Sequence, residues 1–136
     1  MYVCNQDTLE AILTTEIAVG GIFEAPKMAL YTNNVFPARG MLVGDFIFAN
    51  FGGLTNQKAV TWGVPFLNAL QQAEVLGGLL SWLTVTDEDP AVTAYGWILL
   101  NTAGAAWLAA ERFAEPQAFG PAGTNLSIVP RLVMDT

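Results

Sequence analysis

Three observations predict an all-β domain, an antiparallel β-sandwich or jelly-roll-like barrel with a short N-terminal helical arm. The stretch Tyr95 to Phe113, YGWILLNTAGAAWLAAERF, holds two apolar runs separated by Asn-Thr-Ala-Gly, the pattern of a hairpin. The run leading into it, Val92, Thr93, Tyr95, Trp97 and Ile98, is rich in β-branched and aromatic residues. Six to eight short runs of this kind, separated by Gly, Pro and Asn signals, are spread along the chain, as in sandwiches and barrels. Residues 1–24 are assigned to the arm and 25–136 to the β domain.

Taken in order, Asn5 to Val19 reads as a helix, with Leu9, Ile12, Leu13 and Ile17 on one face, Asp7 three residues before Glu10 as a cap, and Gly20-Gly21 as its end. Ala25 to Asn34 reads as the first strand, with Asn33-Asn34 and Pro37 marking the turn. Asp45 to Phe51 fits a strand or a helical turn, stopped by Gly52-Gly53. Ala59 to Pro65 is a short strand, and Phe66 to Gly78, with mixed polar spacing, a connection with or without a helical turn. Leu79 to Thr86 is a strand, followed by the acidic turn Asp87-Glu88-Asp89-Pro90. Pro116 to Gly123 reads as a loop, and Thr124 to Met134 as a terminal strand. Pro130 cannot donate to a ladder, which makes that strand an edge or bulged one and a candidate assembly surface.

Two other structures compete for the hairpin. Ala91 to Ala110 carries no charge, a length that suits a membrane span. Against this stand Asn101, Thr102 and Gly104 near its middle and flanks without Lys/Arg bias. Helix propensity alone favours a soluble helix over Ala103 to Glu115. In the strand reading the hairpin supplies the central pair of the sheet, and Trp107 and Leu108 face opposite sides. Apolar side chains then cover both faces, so both need burial by a second sheet, a helix or another subunit.

Composition narrows the function. The apolar share is 53% and the charged share 12%, so apolar surface stays exposed unless the chain assembles. Net charge is −7 and the five basic residues are scattered, which argues against nucleic-acid partners. There is no histidine, which removes the commonest general base and zinc ligand, and the single Cys4 cannot form an internal disulfide. The expectation is no catalytic residues, no metal and no cofactor. Asp87-Glu88-Asp89 lacks calcium-loop spacing and reads as a solvated turn. Glu111 and Arg112 point to opposite faces of a strand, each toward a partner across the sheet or between subunits. Trp62, Trp82, Trp97 and Trp107 with Tyr31 and Tyr95 suit a sugar platform, but aromatic residues on strands more often serve a core or interface.

The chain resembles a group of small virion structural proteins of tailed bacteriophages. The resemblance lies in LYTNNVFP (Leu30 to Pro37), the segment Asp45 to Gly53, Val-Thr-Trp-Gly-Val-Pro (Val60 to Pro65), and YGWILLNTAGAAWLAAERF leading to a Pro-Ala-Gly turn and a terminal strand. Similar proteins often carry Asp where Asn101 stands, and Tyr where this chain has Leu54. The resemblance implies strands at Ala105 to Phe113, no enzymatic activity, and a place in the virion after synthesis in the host cytoplasm. The expected role is a capsid decoration or cement protein, a homotrimer or other homo-oligomer bound to the phage major capsid protein, with neither nucleic acid nor membrane as partner. The assembly surface is assigned to Leu9, Ile12, Leu13 and Ile17 and to Val129, Arg131 and Val133 on the terminal edge. The second reading is a tail-associated module of the fibre or baseplate that binds a host surface glycan or another tail protein.

Overall fold

The hairpin forms where the apolar runs and the polar turn place it. In the computed structural model, which describes residues 6–49, 57–83, 92–119 and 125–134, β6 (Val92–Leu100) and β7 (Trp107–Phe119) pair antiparallel. Asn101 builds the turn between them: its N–H donates to the Ala106 carbonyl (2.9 Å) and its Oδ1 accepts from the N–H groups of Ala105 and Ala106 (3.0 and 3.3 Å). Gly104 takes φ +71, a conformation open to glycine at no steric cost. Only an acceptor is needed from the side chain at 101, which Asp supplies equally well, so the departure from similar sequences leaves the turn intact.

Among the described residues nine strands form three antiparallel sheets that do not close into a barrel. The largest has the order β2 (Gln57–Ala59), β1 (Lys27–Tyr31), β6, β7. The hairpin therefore does not supply the central pair: β6 is internal, but β7 is an edge, and β1 takes the place beside β6. The other sheets are β3 (Phe66–Leu67), β4 (Ala73–Leu76), β9 (Arg131–Met134), and the ribbon of β5 (Leu80–Leu83) with β8 (Asn125–Ile128).

Both faces of the main sheet are covered, as its apolar pattern requires. Met28, Leu30 and Leu99 on one face join Trp82, Leu80, Leu126 and Ile128 of the β5–β8 ribbon. Ala29, Tyr31, Ile98 and Leu100 on the other face lie beneath the 33–49 segment through Phe46, Val35, Met41 and Val43. Burial of each large side chain contributes about 1.5–3 kcal/mol. Trp107 and Leu108 do reach opposite faces.

The helix α1 spans Gln6–Ile17 and ends where Gly20 takes φ +86. Its Leu13 packs with Ala73 and Val75 of β4, with Ile17 alongside, so it sits on the chain's own small sheet.

Several local expectations are corrected. Phe66 to Gly78 is not a connection with a helical turn but the hairpin β3–β4, closed by Asn68, whose Oδ1 accepts from the N–H groups of Leu70 (2.9 Å) and Gln72 (3.0 Å). Residues 60–65 are not a continuous strand; β2 ends at Ala59 and Trp62 makes an isolated bridge with Gly77. Pro116 to Phe119, expected in a loop, belong to β7, and residues 120–123 of that expected loop lie outside the described residues. Residues 113–116 stand opposite Tyr95 as an excursion in the ladder, and Pro116, which has no N–H, falls in it. The terminal strand divides at Val129-Pro130: β8 pairs with β5 and β9 with β4, so the proline marks a change of sheet. The strand end at 84–86, the segment from 50 to 56, Cys4 and the Asp87-Glu88-Asp89 turn lie outside the described residues.

Replacing Asn101 by Ala is expected to lower stability by about 1 kcal/mol, since two turn N–H groups lose their acceptor. Asn101→Asp should stay near the parent, and urea unfolding of the three proteins checks both.

Candidate functional site

Two sites are built on opposite faces of the β6–β7 hairpin. On the side of the 33–49 segment, β1 delivers Tyr31 and then Asn33, which fastens the returning chain. Asn33 Nδ2 donates to the Asp45 carbonyl (2.8 Å), and its Oδ1 accepts from the Ile47 N–H (2.8 Å). The Phe46 ring then stands edge-on to Tyr31 (5.3 Å between centroids) and to Trp107 (5.8 Å), while the Trp107 indole N–H donates to the Met41 carbonyl (2.6 Å).

Arg112 fixes the other end of this layer. Its guanidinium lies 4.2 Å from the centre of the Phe36 ring and 5.3 Å from that of Tyr95, and it donates to the Val35 carbonyl (2.9 Å) and to Asn34 Oδ1 (2.6 Å). The residues quoted for the resemblance, Tyr31 to Phe36 and Tyr95 to Arg112, thus meet in space. Gly96 explains itself here: a Cβ would run into the Tyr31 hydroxyl and the Glu111 carbonyl. The buried Tyr31 Oη has no hydrogen-bond partner among the described residues. Burial pushes the phenol's pKa up from 10.0, and the Arg112 charge pulls it partly back. The folded protein therefore holds this proton more tightly than the unfolded chain, and the phenol's contribution to stability declines as pH rises above 10.0.

On the opposite face a cleft of about 370 Å³ opens between the hairpin and the β8–β9 corner. Trp97 and Glu111, direct cross-strand partners, form one wall with Ala109 and Leu99, and Val129 to Val133 form the other. Arg131 pairs through Nε with Glu74 Oε1 (3.3 Å), a carboxylate only 7% exposed as a residue. Glu111 is exposed, and its carboxylate has no hydrogen bond or ion pair among the described residues.

The assigned assembly residues therefore separate. Leu13 and Ile17 are committed to the chain's own core, and Ile12 beside them is 40% exposed. Leu9 lies on the first turns of the helix. Val129, Arg131 and Val133 come together at the cleft rim. The six aromatic residues do not form one platform: Tyr31 and Trp82 are buried, Trp107 and Tyr95 lie under the 33–49 layer, and Trp62 and Trp97 border the cleft. The Trp97–Glu111 pair was missed because it depends on register. The pairing Leu100 to Trp107 next to the turn would put Trp97 opposite Ala110; an extra residue, Leu108, moves it to Glu111.

Among the described residues no cluster of three metal-ligating side chains occurs, and no helix is long and apolar enough to cross a membrane. No protein-family model, curated protein or solved structure matches the chain.

Arg112→Ala is expected to cost about 2 kcal/mol by removing two hydrogen bonds from a charged donor and both ring contacts. Arg112→Lys should recover less than half of this, because an ammonium lacks the planar fork. Thermal unfolding of the two variants beside the parent measures the difference.

Proposed function

We propose that the chain is a non-enzymatic structural protein of a tailed-phage particle, a decoration or cement protein that binds the outside of the coat lattice as a homo-oligomer. The observation that carries this reading is the outer surface of the 33–49 layer. Phe36, Leu42 and Ile47 are 72%, 72% and 61% exposed, although the sheet beneath them is already covered. These side chains add little to the chain's own core, and in a protein with 12% charged residues they favour burial against another chain. A layer held by Arg112, Asn33 and the Tyr31–Phe46–Trp107 rings presents these apolar side chains without further ordering, which lowers the cost of association.

The sequence resemblance supplies the phage particle as the setting. The strand-rich fold, the acidic charge and the absence of histidine agree with a role in assembly. Particle attachment then proceeds by removing apolar surface from water, with no bond made or broken.

In sedimentation velocity at micromolar concentration the parent protein is expected to run as a homo-oligomer, with a homotrimer as the first assignment. The double variant Phe36→Ser with Leu42→Ser should shift to monomer while keeping its far-ultraviolet dichroism. A monomeric parent, or a variant that assembles unchanged, would remove this surface from the proposal.

A further inference from the structure

The cleft on the far side of the hairpin has a chemistry that the 33–49 surface does not use. Of the four tryptophans, Trp62 donates its indole N–H to the Phe23 carbonyl (2.9 Å), Trp107 donates to the Met41 carbonyl (2.6 Å), and Trp82 also has a partner. Trp97 has no acceptor among the described residues, and its indole nitrogen is not sealed from solvent. Directly across the ladder stands Glu111, so a free donor and a free carboxylate project side by side, with Cβ atoms about 4.5–5.5 Å apart. On the facing wall Arg131 pairs through Nε with Glu74, while 64% of its side chain stays exposed and open to a ligand.

The geometry points to a binding site for a neutral sugar ring in this cleft. The volume of about 370 Å³ lies in the range of small-ligand sites, which combine an apolar lining with a few polar groups. Charge selects among ligand classes. A cation drawn to Glu111 and the Trp97 face would have to sit beside Arg131, and an anion drawn to Arg131 would meet Glu111 on a chain of net charge −7. A neutral polyol uses all three groups: its hydroxyls donate to Glu111 and accept from Arg131 and the Trp97 N–H. The C–H face of the ring covers apolar surface of the indole. The site does not depend on where the protein sits in a particle, and it lies across the sheet from the 33–49 layer.

The test is saturation-transfer difference NMR on the full chain with the methyl glycosides of glucose, galactose, mannose and N-acetylglucosamine. At least one glycoside is expected to show transfer to its ring C–H protons. Trp97→Ala should reduce that transfer at least tenfold and Glu111→Gln at least threefold, while Leu70→Ala, at an exposed position on the β3–β4 turn, leaves it unchanged. Glu111→Gln alters only an exposed side chain, so it keeps the test decisive if Trp97→Ala does not fold. The assignment is overturned if no glycoside shows transfer, if a folded Trp97→Ala or Glu111→Gln protein binds like the parent, or if choline shows stronger transfer than every glycoside.

Discussion

The pairing of β1 with β6 is the constraint on which the rest of this structure depends. Met28 through Tyr31 and Ile98 through Leu100 are buried on both sides of the sheet, so the pair is stable only between two covering layers. The chain meets that requirement with different materials. The β5–β8 ribbon covers one face, and the 33–49 segment, almost without regular structure, covers the other. An irregular layer needs other partners for its backbone. Asn33, Asp45, Trp107 and Arg112 supply them, each through a side chain that reaches a main-chain group.

Tyr31 packs directly over Gly96. The phenol occupies the space that a side chain at 96 would fill, which places its ring against Phe46 and its hydroxyl in an apolar setting near Arg112. A buried hydroxyl without a described partner costs free energy, and the ring burial around it offsets that cost. The bulge next to Gly96 brings Tyr95 to the same face, where it forms one side of the Arg112 clamp. One glycine thus positions the core tyrosine, the cation–π contact and, one residue on, the Trp97 wall of the cleft.

The fold class, the helix and the hairpin were legible because they rest on local signals: the stripe at Leu13 and Ile17, the Asn-Thr-Ala-Gly turn and the β-branched run before it. Trp107 to Phe113 form a strand and not a helix because packing on both faces outweighs the helix propensity of Ala, Leu and Glu, whereas Ala105 and Ala106, expected in that strand, belong to the Asn101 turn. Features that depend on long-range pairing were not legible. Nothing local shows that Val129-Pro130 divides one apolar run between two sheets, or that β1 comes between the hairpin and β2. The Asn68 turn could have been found from its residue type, since Asn commonly bonds the backbone two residues on. The cleft could not, because its walls come from positions as far apart as Met28 and Val133 and its central pair is set by a bulge.

The two faces of the hairpin divide the proposed work. The 33–49 layer offers rigid apolar surface for assembly, and the cleft offers a small polar and aromatic site that stays open when that surface is covered. The central claim is that this chain is a stoichiometric component of a phage coat. Its most direct measurement is the copy number of the protein in purified particles, counted by quantitative mass spectrometry against the major coat protein. The account predicts a fixed ratio close to that of the coat lattice. A handful of copies per particle, or none, would contradict it.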